Sequence, residues 1–167
     1  MDKSYLYIIL TAITGFGFLL LIPKHQYKRY FLYGVVLGGL VDIAIVLTLT
    51  LLGQVRYTNM GHFSAFGLIH AFAPVSWSFT FAMFLYFLPK RTTFFWLYIF
   101  AFAVLNLKVA TIMQSFDTYG YSNAFVLTIV FLLWGYGAAY VYRRDPQIKL
   151  LHPVLQKPLK KPDNDDK

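Results

Sequence analysis

Asp42 stands by itself inside the run Val36-Leu37-Gly38-Gly39-Leu40-Val41-Asp42-Ile43-Ala44-Ile45-Val46. A carboxyl group with such neighbours can bind a proton or a cation, or lock helices together through hydrogen bonds. Lys108 is the other charged residue inside an apolar run and is therefore the expected partner of Asp42, with Asn106 two positions before it. Two positions on a helix turn the chain by about 200°, so Asn106 and Lys108 point to opposite sides. His62 and His70 form a second group with Arg56 and Asn59 close by in sequence. Two histidines eight positions apart with no Glu or Cys beside them make a poor metal set. They suit a hydrogen-bonding role that responds to pH, because imidazole titrates near neutrality.

The chain contains no Cys and no Glu. Disulfides, thiolate metal sites and cysteine nucleophiles are thereby excluded, and carboxylate-rich metal and acid–base constellations have only aspartates to draw on. There is no glycine-rich phosphate loop, no His-Glu-x-x-His pair and no Gly-x-Ser-x-Gly elbow. Ser76 and Ser78 have only His70 within reach as a base. The residues therefore point to a protein that is not an enzyme and holds no cofactor or metal.

The elements that must position these residues are apolar and long. Hydrophobic residues make up 58% of the chain and charged ones 13%, about half the share usual in a soluble domain. A membrane helix needs roughly 20 apolar residues. Five stretches qualify, at about 4–22, 31–52, 69–88, 92–112 and 124–142, so the expected fold class is all-α, a polytopic bundle of five transmembrane helices. The first is a retained span and not a cleaved leader, since no small-x-small site follows it and the positive cluster lies after it. Gly34, Gly38 and Asp42 recur every fourth residue and share one helical face, a small-xxx-small pattern that permits close helix approach. Asp42 lies eleven residues beyond Phe31, about 16 Å deep, and Lys108 about 24 Å into its own span. The axial gap of roughly 8 Å is one a long lysine side chain can close. Pro74, inside the third stretch, is expected to kink it at His70. The connection at 53–68 is aromatic and punctuated by glycine, and reads as an interfacial or re-entrant segment. Glycine faces, at Gly34 and Gly38 and again at Gly135 with Ala139, offer surfaces for other helices.

Charge sets the orientation. With five spans, one side receives the loop after the first helix, the Lys90–Arg91 turn and the tail, which together hold twelve of the fifteen Lys and Arg residues. The positive-inside rule puts that side, with the C-terminus, in the cytoplasm and the N-terminus outside. Residues 1–143 form the membrane domain. Residues 144–167 form a basic, proline-rich tail, expected to be disordered, whose lysines suit anionic lipid headgroups. The net charge of +8 sits in loops and tail, not on an amphipathic face, which argues against nucleic acid. The overall look resembles small polytopic membrane proteins of bacteria, and that implies a bacterial plasma membrane.

Two functions fit. The first is a non-enzymatic subunit or scaffold that binds a protein partner, or a second copy of itself as a homo-oligomer, through its glycine faces and basic tail. The second is a proton- or cation-coupled transport component that uses Asp42 with Lys108.

Overall fold

The computed structural model describes residues 3–145. It is mostly helical, with five rods running back and forth between two ends. The first rod is α1 (Tyr5–Leu21). It stops where Ile22 turns extended ahead of Pro23, and the Tyr27 hydroxyl donates to the Leu19 carbonyl, one of the acceptors the helix end leaves open. The second rod runs from Lys24 to Leu51 in one piece. Within it α2 (Tyr27–Tyr33) passes into a π-helical segment, Gly34–Leu40, and then into α3 (Val41–Leu51). The other rods are α4 (Ala73–Tyr86), α5 (Thr92–Ser115) and α6 (Ala124–Arg144). Asn123 caps α6, its side-chain oxygen accepting from the amides of Phe125 (2.9 Å) and Val126 (3.4 Å).

Three of these rods are long and apolar enough to cross a membrane: Lys24–Leu51, Thr92–Ser115 and Ala124–Arg144. At 17 residues α1 is a shorter apolar helix, and α4 has 14. The chain is thus a membrane-embedded helical protein by the length and composition of its elements.

One end carries most of the basic residues. There the Arg143 guanidinium donates to the Pro89 carbonyl, and the Tyr142 hydroxyl donates to that of Tyr30 (2.8 Å). The end of α6, the turn before α5 and the start of the second rod therefore meet. The opposite end is a cap of short strands, an addition to the all-helical expectation. β1 (Val55–Tyr57) pairs antiparallel with β4 (Tyr119–Tyr121), with Arg56 opposite Gly120. β2 (Ser64–Ala65) pairs with β3 (Ile69–His70). Within the segment 53–68, expected as an interfacial or re-entrant piece, the chain forms β1 and β2 joined by turns. Lys3 and Asp117 form an exposed ion pair at this end (2.7 Å).

The third stretch departs from expectation. Its helix begins at Ala73, not Ile69, and Pro74 produces no kink at His70. In the first turn the amide hydrogen that proline lacks has no helical acceptor, so Pro74 costs nothing there. Residues 69–72 leave the helix because Ile69 and His70 pair with β2 and the His70 Nδ1 accepts from the Phe72 amide (3.3 Å).

Between apolar surroundings and apolar helices there is no hydrophobic drive to associate, so packing and hydrogen bonds hold such a bundle. At Gly34 an added Cβ would overlap the Ser78 carbonyl oxygen; at Gly38 it would meet the Trp77 carbonyl and Phe81; at Gly39, the Ser78 hydroxyl and the Pro74 carbonyl. The π segment lies directly on α4, backbone against backbone. Thr11 ties α1 to the same helix, its hydroxyl 2.6 Å from that of Ser76. Aromatic rings fill the centre: Phe81 stacks on Trp134 at 4.4 Å, and Phe84 lies 4.2 Å from Phe102.

Candidate functional site

Past the π segment the second rod no longer lies flush against its neighbours, and a cavity of about 240 Å³ opens between α3, α4, α5 and α6. α1 and the cap complete its wall through Tyr7, Tyr57 and Tyr119. Asp42 faces this space. It is 2% exposed, and its Oδ2 has no hydrogen-bond partner. That is unusual, because buried side-chain oxygens are nearly always paired.

Three of the polar side chains nearby donate to the backbone. Thr80 Oγ1 donates to the Ser76 carbonyl (2.8 Å) and Thr14 Oγ1 to that of Leu10 (2.9 Å). Asn106, buried and lining the cavity, donates its Nδ2 to the Phe102 carbonyl (2.8 Å). Burial pushes the phenols of Tyr57 and Tyr119 well above the ordinary tyrosine range. Both therefore remain protonated and able to donate. The rest of the wall is apolar or aromatic, with Trp77 and Trp134 4.7 Å apart between ring centroids. The Trp134 indole donates to the Leu37 carbonyl (2.7 Å), so the π segment supplies an acceptor that fixes one wall of the cavity. Wide helical turns of this kind often occur next to functional sites.

Lys108 does not reach Asp42. It is exposed on the far side of α5, and no ion pair joins it to Asp42. The reason is the 200° step from Asn106: with Asn106 turned into the cavity, Lys108 must point outward. The axial gap that suggested a pair was the smaller obstacle.

The histidines are likewise apart in role. His62 is exposed in a turn at Gly61–Phe63. His70 is buried, with both ring nitrogens used: Nδ1 accepts from Phe72, which leaves Nε2 to donate to the Ser4 carbonyl (3.0 Å). It stacks on Tyr7 at 4.5 Å and pins β3 to the start of α1. Burial lowers its pKa. Arg56 lies exposed across the backbone of Gly120, away from the cavity. His70, Arg56, His62 and Lys108 thus lie outside the group formed by Asp42 and Asn106.

The sequence had not pointed to Tyr7, Tyr57 or Tyr119 as companions of Asp42. For Tyr57 and Tyr119 a signal was present in the alternation Val55-Arg56-Tyr57-Thr58 and Thr118-Tyr119-Gly120-Tyr121, which suits short strands. No family model, curated protein or solved structure matches the chain.

Proposed function

We propose that the chain is a small multi-pass protein of the plasma membrane that binds a cation at Asp42, as a component of proton- or cation-coupled transport. The observation that carries this reading is the unpartnered carboxyl oxygen of Asp42 facing a cavity inside the bundle. A carboxylate at such a depth without a counter-charge is costly, so the group must hold either a proton or a cation. Exchange of one for the other is the elementary step of coupled transport. Lys108 has no part in it.

The proposal includes five spans, with the basic end in the cytoplasm and the strand cap outside, in a bacterial cytoplasmic membrane. At ~1.5 Å per residue the 14 residues of α4 reach about 21 Å, short of a ~30 Å hydrocarbon core. In this arrangement the cap dips toward the bilayer and closes over the short rod. Arg143, Arg144, Lys90, Arg91, Lys28 and Arg29 at the basic end follow the positive-inside rule and suit anionic headgroups. The tail at 146–167, also expected to bind such lipids, lies outside the described residues.

A partner-binding subunit is the second reading. It rests on glycine faces and the basic tail; the glycine faces are occupied within the bundle, Gly34 and Gly38 by α4, and Gly135 by Phe102 and Ile99. What favours it now is the exposed apolar surface of α6, including Leu133, Tyr136 and Val141, which lipid can also cover.

Flux measurements in proteoliposomes test the proposal. Wild-type protein should carry a pH- or cation-dependent flux that Asp42→Asn abolishes while the reconstituted amount and thermal stability are kept. If the wild type shows no flux and Asp42→Asn instead dissociates a complex, the subunit reading replaces it.

A further inference from the structure

We infer that the cation accepted by the Asp42 cavity is an organic ammonium, a primary or secondary amine with an aromatic or short alkyl body. The inference rests on the reading of Asp42 as a cation site and concerns what that cation is. Three features of the cavity carry it.

The first is the donor set. Hard metal cations take six or more oxygen ligands. The cavity presents one charged ligand, the Asp42 carboxylate; its other oxygens, on Asn106, Thr14, Ser76, Thr80 and three tyrosines, are uncharged and set in a wall that is mostly apolar or aromatic. An ammonium asks for less. Its N–H groups satisfy the free Oδ2 of Asp42 through a charge-assisted hydrogen bond, and the two charges cancel.

The second feature is size. At about 240 Å³ the space exceeds the ~150 Å³ known to accept a benzene ring in an apolar protein cavity. One ring with a short aminoalkyl arm fits these dimensions, whereas a bare ion would leave most of the apolar wall without contact.

The third is the nature of the wall. Trp77, Trp134, Tyr7, Tyr57, Tyr119 and Phe131 surround a single acidic group. Aromatic faces attract cations and stack on rings, and Trp is the strongest of them for cations. An aromatic wall around one carboxylate is complementary to a molecule with an apolar body and one positive end. A neutral apolar ligand would leave the Asp42 oxygen unpaired, and an anion would be repelled by it.

The test uses purified full-length protein in lipid nanodiscs, read by thermal unfolding and tryptophan emission. The probes are 2-phenylethylamine, its neutral analogue 2-phenylethanol, and sodium and potassium chloride. The expected result is saturable binding of the amine at least tenfold tighter than the alcohol, with the difference erased by Asp42→Asn. Ala110→Phe, which places a ring in the cavity and leaves Asp42 intact, should abolish amine binding as well, and this holds the test if Asp42→Asn folds poorly. Equal binding of amine and alcohol, or amine binding unchanged in both variants, overturns the inference. An Asp42-dependent response to sodium or potassium without one to the amine also overturns it but leaves the cation site standing. If neither amine nor inorganic ion gives an Asp42-dependent response, the cation site falls too.

Discussion

The two halves of the rod from Lys24 to Leu51 are built to opposite rules. In the π segment Gly34, Gly38 and Gly39 leave no room for even one carbon atom between the second rod and α4. One turn further, α3 stands off from its neighbours, and Asp42 faces open space. In the tight half the Leu37 carbonyl accepts from the indole of a distant helix. The loose half contains a carboxyl oxygen with no partner. Such a contrast teaches where the molecule is fixed and where it is receptive. Clamping one half holds the backbone so that the other can keep a cavity without collapsing around it.

Breaking the clamp should have the largest effect. Gly38→Leu drives a side chain into the Trp77 carbonyl and Phe81, and overpacking of this kind costs about 1–3 kcal/mol or more. Thermal unfolding in detergent should show a large loss of stability or no folded protein. Gly137, with nothing near its missing Cβ, is the control: Gly137→Ala should be neutral or stabilising by up to about 1 kcal/mol.

A smaller effect is expected at the capped end of the cavity. His70→Gln removes buried hydrogen bonds to Ser4 and Phe72 and should cost about 1–3 kcal/mol. The wild type carries a pH signature at the same place. Burial lowers the His70 pKa in the folded state, so the unfolded chain takes up the proton first. The contribution of His70 is then full above its ordinary value of ~6.5 and is lost as pH falls from there through the lowered folded value. Unfolding temperatures measured across this window should drop in the wild type and drop less in His70→Gln.

The exposed pair of Lys3 and Asp117 should matter least. Lys3 holds the Asp117 pKa down, first by its hydrogen bond and then by its charge. Its contribution is therefore present above the ordinary carboxylate value of ~3.9 and disappears as pH falls through the lowered one. Lys3→Ala should change thermal stability little, and added salt should remove the difference.

The long rods were legible because their signal is local. Sustained apolar runs bounded by Pro23, by Lys90–Arg91 and by the polar stretch before Asn123 define helices without reference to the rest of the chain. The facing of Asn106 against Lys108 follows from helix geometry in the same way. Features joining distant residues were hidden. β1 and β4 meet across some 60 residues, and Lys3 and Asp117 across 114. Pro74 is compatible with a kinked helix or with a helix that starts beside it, and the choice was made by strand pairing and by His70, outside the helix itself. The cavity is the extreme case. Empty space is set by how five rods fail to fill a volume, and no single segment records it, so Asp42 was visible as an acid while its tyrosine and tryptophan surroundings were not.

Reaction of Asp42 with a hydrophobic carbodiimide tests the central claim most directly. Such reagents enter from the apolar phase and attach covalently to carboxyl groups within reach, and mass spectrometry locates the adduct. Protein in nanodiscs should acquire an adduct at Asp42, and the cation that binds the cavity should protect against it in a concentration-dependent way. An Asp42 that stays unmodified, or that is modified at the same rate whatever cation is present, would contradict the account.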